Sequence, residues 1–545
     1  MHSWKLILAV IVGGFGSLCA KSERPNVIII LTDDQSPFAH INDAYRDGAK
    51  PQEQESWAAY GAPVYSPNVD RLAERGMLFT DANVTTTVCT PSRYTTLTGR
   101  YAARTEGARF NGMFPEGSMT RVENNVELGA DELNLARILQ GNGYRTGFVG
   151  KSHFINHDLM LHRRLGEDAG LKLYDQGSDP SNASVDSSLK HNHDVWRKWI
   201  QAYGFDYVES HYQGNLRELY NDKLNQHNME YTAKAAIEFV QEAAGDPFFL
   251  YFAPTMPHDP NAWEKDGKGK YHCALDADPR VTPEGYMAPE YDFMPTRSQI
   301  MRDVVDRGFH PDTAYITWMD AAFGALFDAL EEKGALDNTL IVFASDHGAY
   351  RYGKSTLYEG GMRVPLIVSW PRVIEGGSRF DGLVSNIDYV PTILEACQIQ
   401  VPDGYHIDGV SLMPALLDPE STVIHESILG DIGYSRGVKT KKWKYVAVRY
   451  PESVHEKMLS GGFFPNWSAP GREQPYLVRN SHLGWHAAEG NPNYFQLDQL
   501  YDLENDPEEL KNLFLQKPIV AARMKALLSQ HLKQLPDHPF GEFTE

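Results

Sequence analysis

The chain has 545 residues, with 51 Lys and Arg against 72 Asp and Glu, for a formal net charge of −21. That length allows one large or two moderate domains, and 42% hydrophobic with 23% charged residues excludes disorder, collagen and coiled coil. The acidic balance argues against nucleic acid as a partner, although a local cluster of Lys, Arg and metal can reverse the field in one pocket for a small anion.

Residues 1–20, MHSWKLILAVIVGGFGSLCA, place Lys5 before an apolar run that ends in small residues. This is the layout of a secretory signal peptide, too short for a comfortable membrane span, with cleavage expected after Cys19 or Ala20. Leu18 stands where a lipid-attachment site wants a small residue, which disfavours a lipoprotein. The mature protein is therefore expected to be secreted or periplasmic, without a stable membrane partner. Four cysteines are too few for a disulfide scaffold, and the three beyond the signal, Cys89, Cys273 and Cys397, leave one over for another use.

From residue 25 to about 415, apolar runs alternate with amphipathic stretches. Asn26–Leu31 is a buried-strand pattern; Asp131–Gly141 reads as helix and leads into a strand over Arg145–Val149. Met229–Ala244 is helical and Pro247–Ala253 another strand, and Thr313–Lys333 puts Trp318, Met319, Ala322, Phe323, Leu326, Phe327 and Leu330 on one helical face. Strands follow at Thr339–Ala344 and Val364–Ser369. This alternation predicts an α/β fold, a large mixed but mostly parallel sheet covered by helices on both faces. Two polar stretches with little periodicity, 156–216 and 261–307, read as insertions that wall a pocket. Residues 416–545 form a smaller C-terminal α+β subdomain, with a strand over Val438–Tyr445, another closing at Tyr501–Leu503 and a terminal helix over Ile519–Leu535.

Polar residues cluster just past the strand ends. The first strand runs into Asp33-Asp34, the second into Lys151-Ser152-His153, the third reaches His258, and the fourth runs into Asp346-His347. Ligands in open α/β sheets sit beyond the carboxyl ends of strands, so these residues converge on one edge. Three carboxylates from two strands would repel one another without a cation, and oxygen donors suit calcium, or less well magnesium or manganese, better than zinc. Lys and His beside such a metal fit hydrolysis or transfer at sulfate or phosphate.

Cys89-Thr90-Pro91-Ser92-Arg93-Tyr94-Thr95-Thr96-Leu97-Thr98-Gly99-Arg100 closely resembles the signature of type I, formylglycine-dependent sulfatases of the alkaline phosphatase superfamily, C-x-P-S-R-x-x-x-L-T-G-R, at every fixed position. It also has a helix-start pattern that favours an anion. The resemblance extends over residues 25–535, through Ser66–Ala73, the segment around Lys151, the PHDP segment at His258, SDHG at Asp346 and the late Tyr501-Asp502-Leu503. It implies a sulfatase in which a maturation enzyme converts Cys89 to formylglycine. Asp33, Asp34 and Asp346 would be metal carboxylates, with residue 89 giving a further oxygen. Arg93 would steady the aldehyde hydrate, Lys151 and Lys354 would bind sulfate oxygens, His153 would act as base in sulfate release, and His258 would protonate the leaving alcohol. One hydroxyl of the hydrate attacks sulfur; the other, deprotonated, collapses to the aldehyde and expels sulfate.

Two departures from the family pattern stand out. His347 occupies a position where many relatives have Asn; it is kept as a metal ligand or close neighbour of one. Ser152 replaces a frequent Trp. The alternatives are an arylsulfatase, a phosphate mono- or diester hydrolase of the same superfamily, and a non-catalytic binder of sulfated glycans, which the intact residue set opposes. The expected substrate is a sulfated carbohydrate cut at or near a chain end, because residues 156–216 and 261–307 supply Asn, Asp, His, Arg and Trp for sugar recognition. Trp263, Arg297 and Arg302 are candidates for such contacts, though loop surface is the plainer reading. Asn83, Asn182 and Asn466 lie in glycosylation sequons.

Overall fold

The sequence Asn-Val-Ile-Ile-Ile-Leu-Thr forms the strand β1 (Asn26–Thr32) at the centre of the main sheet of the computed structural model. The structure describes residues 24–37, 64–243, 246–258, 260, 263–265, 271–288, 291–349, 353–452, 456, 463–465, 473–475, 492–494, 496–535 and 539–543. The segment 1–20 and the sequon at Asn466 lie outside them, as does the Trp263 side chain.

The remaining strands of this sheet are β2 (Gly76–Asn83), β3 (Arg145–Lys151), β4 (Tyr207–Tyr212), β5 (Phe248–Ala253), β6 (Thr339–Ser345), β7 (Leu366–Ser369) and β8 (Ser378–Ser385). Their spatial order is β8-β2-β7-β6-β1-β5-β3-β4. Only β7 runs against the others, pairing antiparallel with both β6 and β2. The result is the mixed, mostly parallel sheet expected from the apolar runs. Strand side chains alternate between faces. Val27, Ile29 and Leu31 enter one core, whereas Ile28 and Ile30 enter the other with the helices α1 (Pro67–Glu74), α4 (Met229–Glu242) and α5 (Ala314–Glu332). The first core takes α2 (Cys89–Thr98) and α3 (Ala183–Gln201).

Two stretches differ from the sequence reading. The 156–216 insertion is not aperiodic, since it holds the 19-residue helix α3 and the strand β4. The run Val438–Tyr445 is two strands, because Thr440–Lys442 turns the chain between β10 (Ser435–Lys439) and β11 (Trp443–Val448). With β9 (Ile428–Ile432) and β12 (Asp498–Asp502) they make an antiparallel sheet in the order β9-β10-β11-β12. Onto it α6 (Pro518–Leu532) packs Met524 and Leu528, and these share one core with the main sheet.

Ion pairs stitch the small sheet to the loop that carries Lys354. Lys439 and Lys444, 2% and 1% exposed, reach Glu359 at 2.9 and 2.7 Å, and Lys444 also reaches Glu509 at 2.8 Å. Burial acts to raise the Glu359 carboxyl, but Lys439 and Lys444 overcome it and hold it far below its usual range. Removing one partner of a buried charge network costs about 3–5 kcal/mol, because the other charge stays behind. Glu359→Ala is therefore expected to unfold at markedly lower temperature than the parent. An unchanged melting curve would show that this network contributes nothing.

Candidate active site

Four neighbouring strands, β6, β1, β5 and β3, deliver their carboxyl ends to one place. Main-chain bonds lock these ends together: the Asp33 N–H donates to Met256 O (2.9 Å) and the Asp346 N–H to Thr32 O (3.0 Å). Gly150 allows the approach of β3 to β5, having φ 96° and sitting where a Cβ would lie 2.0 Å from Ala253 O. Its neighbour Lys151 then enters the site fully buried.

Residue 89 is the first residue of α2, behind extended Val88, and no side chain of Val88 caps the helix. Cys89 is 1% exposed, with its Sγ 3.3 Å from His347 Nε2 and 3.9 Å from Lys354 Nζ. Asp33, Asp34, Cys89 and His347 each offer a ligand atom, all within 4.8 Å of one another. Asp33 Oδ1 is buried and accepts no hydrogen bond among the described residues. His347 turns one ring nitrogen, Nδ1, toward Gly348 O (2.8 Å), which leaves Nε2 facing Asp34 Oδ1 at 3.1 Å. This donor set fits a divalent cation. Asp346 stands beside it, its Oδ1 accepting from the Asp34 N–H (3.1 Å) and lying 3.7 Å from His347 Nε2.

The cations close the shell. Arg93, with no exposed surface, donates through Nε to Asp346 Oδ2 (3.1 Å) and through Nη1 to Lys151 O (3.0 Å). Lys151 Nζ lies 2.6 Å from Asp33 Oδ2, and Lys354 Nζ 2.7 Å from Asp34 Oδ2. His258 Nε2 is 3.9 Å from Asp34 Oδ2. Burial would raise Asp33, yet Lys151, His258 and Arg93 hold its carboxyl well below the ordinary range. Burial would lower His347, yet Asp346 and Asp34 push it up to about 9. His153 goes the other way: burial, then His157 and Lys151, hold it well below its usual value.

The structure thus brings together Asp33, Asp34, Cys89, Arg93, Lys151, His258, Asp346, His347 and Lys354, with His153 two residues beyond Lys151. Sequence reasoning missed the supporting set. Asn215 Oδ1 accepts from Lys151 Nζ (2.7 Å), while its amide Nδ2 donates to Glu218 Oε1 (2.9 Å), which fixes the direction of that amide. His227 bridges Thr255 Oγ1 (2.8 Å) and His258 O (2.9 Å) and so holds the His258 loop. Asn215 and Glu218 are spaced three apart as a capping box, which marks a turn start and does not point to Lys151, while His227 acts across a tertiary contact. Arg297 is structural rather than substrate-facing, paired with Glu230 at 2.8 Å over the Trp318 ring, while Arg302, on the same helix Arg297–Asp306, is exposed. Asn83 is buried inside β2 and accepts from Lys439, which excludes it as a glycan acceptor in the folded chain, whereas Asn182 is exposed. Cys397 is a buried free thiol.

Comparisons with known proteins show the family and the fold. The sulfatase family model matches residues 25–399, and that of the C-terminal region of N-sulphoglucosamine sulphohydrolase matches 346–458. Arylsulfatase A of Bos taurus is 28% identical over 502 residues, covering 83% of this chain and 79% of that one. A sulfatase of Formosa agariphila is 26% identical over 443 residues, 72% of each chain. A solved protein in complex with its substrate D-glucosamine-2-N,6-O-disulfate shares the fold at 19% identity and TM-score 0.56, over 95% of this chain and 100% of that one.

Proposed function

The chain belongs to the sulfatase family and is a sulfuric ester hydrolase; from that premise we propose an exported enzyme that removes sulfate from the ends of sulfated oligosaccharides or monosaccharides, using formylglycine made from Cys89. The observation that carries this reading is the placement of Cys89 at the start of α2, within reach of Asp33, Asp34 and His347 and of Lys354.

A divalent cation, calcium by the hardness of the oxygen donors or else magnesium or manganese, would be held by Asp33, Asp34, residue 89 and His347 with Asp346 beside them, and would supply Lewis-acid polarisation. Conversion of Cys89 to formylglycine by a maturation enzyme would supply the geminal diol that attacks sulfur, a group neither thiol nor serine can form. The chain's own residues do the rest. Arg93, anchored on Asp346 and on Lys151 O, offers fixed positive charge next to residue 89 at no cost in reorganisation. Lys151 and Lys354 enclose the position of the sulfate oxygens from two sides. His153 is assigned the proton whose loss lets sulfate depart. His258, whose side chain is 12% exposed where His153 and Lys151 are sealed, faces the leaving alcohol and donates to it.

Support for a carbohydrate substrate comes from relatives that include an N-acetylgalactosamine-6-sulfatase. Released sulfate and phosphate should be measured on aryl sulfate, aryl phosphate, a phosphodiester, sulfated mono- and oligosaccharides and a long sulfated polymer. Short glycans should be desulfated and the phosphate esters turned over far more slowly. Faster phosphate release would move the enzyme to the phosphatase side of the superfamily. Aryl sulfate turnover with none on any glycan would remove the carbohydrate assignment, and rapid desulfation inside intact polymer would remove end specificity alone.

A further inference from the structure

Behind Lys151 and His153 lies a buried carboxylate that the chemistry above does not use directly. Glu218, 4% exposed, follows β4, where it and Asn215 cap the short helical turn Leu216–Leu219 reciprocally. Its Oε1 accepts from Asn215 Nδ2 (2.9 Å), and its Oε2 accepts from the Asn215 N–H (3.0 Å) and from His157 Nδ1 (2.9 Å). The same Oε2 lies 3.7 Å from His153 Nε2. Burial acts to raise this carboxyl, but His157 outweighs it and holds it below its usual value, so the group keeps its charge. Packing leaves the carboxylate and the His153 ring little freedom relative to each other. The His153 N–H donates to Gln213 O (3.0 Å) and the Ser152 N–H to Tyr212 O (2.9 Å), so the segment bearing His153 runs along the end of β4. His153 takes φ 51°, a left-handed conformation that a non-glycine residue adopts at a cost, and these bonds hold it there. The His157 ring stands edge-on to that of His153, with centroids 3.9 Å apart and planes at 79°. Gly214 permits the close approach: a Cβ there would lie 2.0 Å from Glu218 Oε2 and 3.1 Å from His153 Cδ2.

We infer that Glu218 is a positioning residue for His153: it faces Nε2, keeps the proton on that nitrogen, and so leaves Nδ1 as the basic nitrogen in the sulfate-release step. This rests on the role given to His153 in the sulfatase reading above and adds the group that orients it. A neutral imidazole carries one N–H, and the partner of one nitrogen decides which nitrogen that is. A carboxylate only accepts, so the nitrogen that faces it is the donor. Both ring nitrogens of buried His153 lack a hydrogen-bond partner among the described residues, and with Nε2 turned to Glu218 the acceptor is Nδ1. The 3.7 Å separation exceeds a hydrogen bond, and catalytic hydrogen bonds are commonly long until the substrate complex forms. In the release step the proton moves to Nδ1, and sulfate leaves with the electron pair of its bond to residue 89; nothing is oxidised or reduced.

The test uses the matured full chain with its metal and 4-nitrophenyl sulfate. It follows 4-nitrophenol, which leaves in the first half of the reaction, against sulfate, which leaves in the second. Glu218→Gln removes the charge while filling the same space. It should release about one equivalent of 4-nitrophenol in a burst and then turn over about 10-fold or more slower than the parent. Sulfate should be retained on the peptide containing residue 89, as in His153→Ala, and KM should fall with kcat because the slowed step follows bond cleavage. Asn215→Ala, which frees Lys151 but leaves Glu218 facing His153, should lower kcat/KM without a burst. Glu218→Asp keeps the charge but draws it back by one methylene; it should show the burst with a milder loss, and it carries the test should the glutamine variant fail to fold. If His153→Ala retains sulfate and no folded Glu218 variant does, the positioning role is overturned. If His153→Ala retains none, the release role of His153 falls and that of Glu218 with it, while sulfate release by the parent leaves the sulfatase reading in place.

Discussion

Cys89→Ser is expected to fold as the parent does and to lose turnover by about 10⁴-fold or more, the scale on which removal of a covalent nucleophile acts. Serine is slightly smaller than cysteine and adds no charge, so the start of α2, the bond that the Thr90 N–H donates to Asn124 Oδ1 and the C-cap at Gly99 (φ 66°) all persist. Thermal unfolding should therefore superimpose on that of the parent. The loss is chemical. A serine hydroxyl placed beside His347 and Lys354 can attack sulfur, but the sulfate ester it forms has no second hydroxyl through which to collapse. One partial turnover and a stalled sulfated protein are the expected outcome, visible as added mass on the peptide containing residue 89. In active parent enzyme, the same peptide should be about 18 Da lighter than its cysteine form. Full activity from unmodified thiol would defeat the formylglycine assignment, and so would undiminished turnover in the serine variant.

Much of the fold and most of the site were legible in the sequence, for a physical reason. Parallel strands buried on both faces must be continuously apolar, so Asn26–Thr32, Phe248–Ala253 and Thr339–Ser345 stand out, and the first polar residue after each marks the sheet edge where ligands bind. The periodicity of α5 was as plain, because Trp318, Met319, Ala322, Phe323, Leu326, Phe327 and Leu330 recur at helical spacing and all are buried. Less was legible where structure depends on partners far away. The direction of β7, the one antiparallel strand, is set by the crossover and not by composition. The turn Thr440–Lys442 is hidden in a lysine-rich run because Lys439 and Lys444 are buried on Glu359, against the usual rule that lysine marks surface. Helix α3 was hidden by its polar residues: Asn192 and His193 are buried within it, while its apolar stripe is only Val185, Leu189, Trp196 and Ile200. Asn215 and Glu218 are spaced as a capping box, which signals a helix start and not a site; their value lies in the orientation they give to Lys151 across 64 and 67 positions of sequence.

His258→Ala should divide substrates by their leaving groups. General acid catalysis is worth about 10²–10⁴-fold where the departing oxygen is strongly basic and little where it is already stabilised. A sugar alkoxide is of the first kind and an aryl oxide of the second. The variant should lose about 10²-fold or more on a sulfated saccharide and only a small factor on 4-nitrophenyl sulfate. The geometry favours this residue over the other histidines. His153 is sealed from solvent, and His347 faces Asp34 and Cys89 at 3.1 and 3.3 Å. Of these three histidines His258 has the most exposed side chain, 12% against none for the other two, and its loop is fixed from behind by His227 through His258 O. His227→Ala should then reproduce the same substrate split in weaker form, because the acid would be present but poorly aimed, a fault that lowers kcat on saccharide with KM nearly unchanged. Equal losses on both substrates in His258→Ala would transfer the proton-donating role to another group. Lys354 is the nearest candidate, although its ammonium is held on Asp34 at 2.7 Å, and burial, which acts to lower its proton affinity, is outweighed by Asp34, so it gives up a proton less readily than a free lysine.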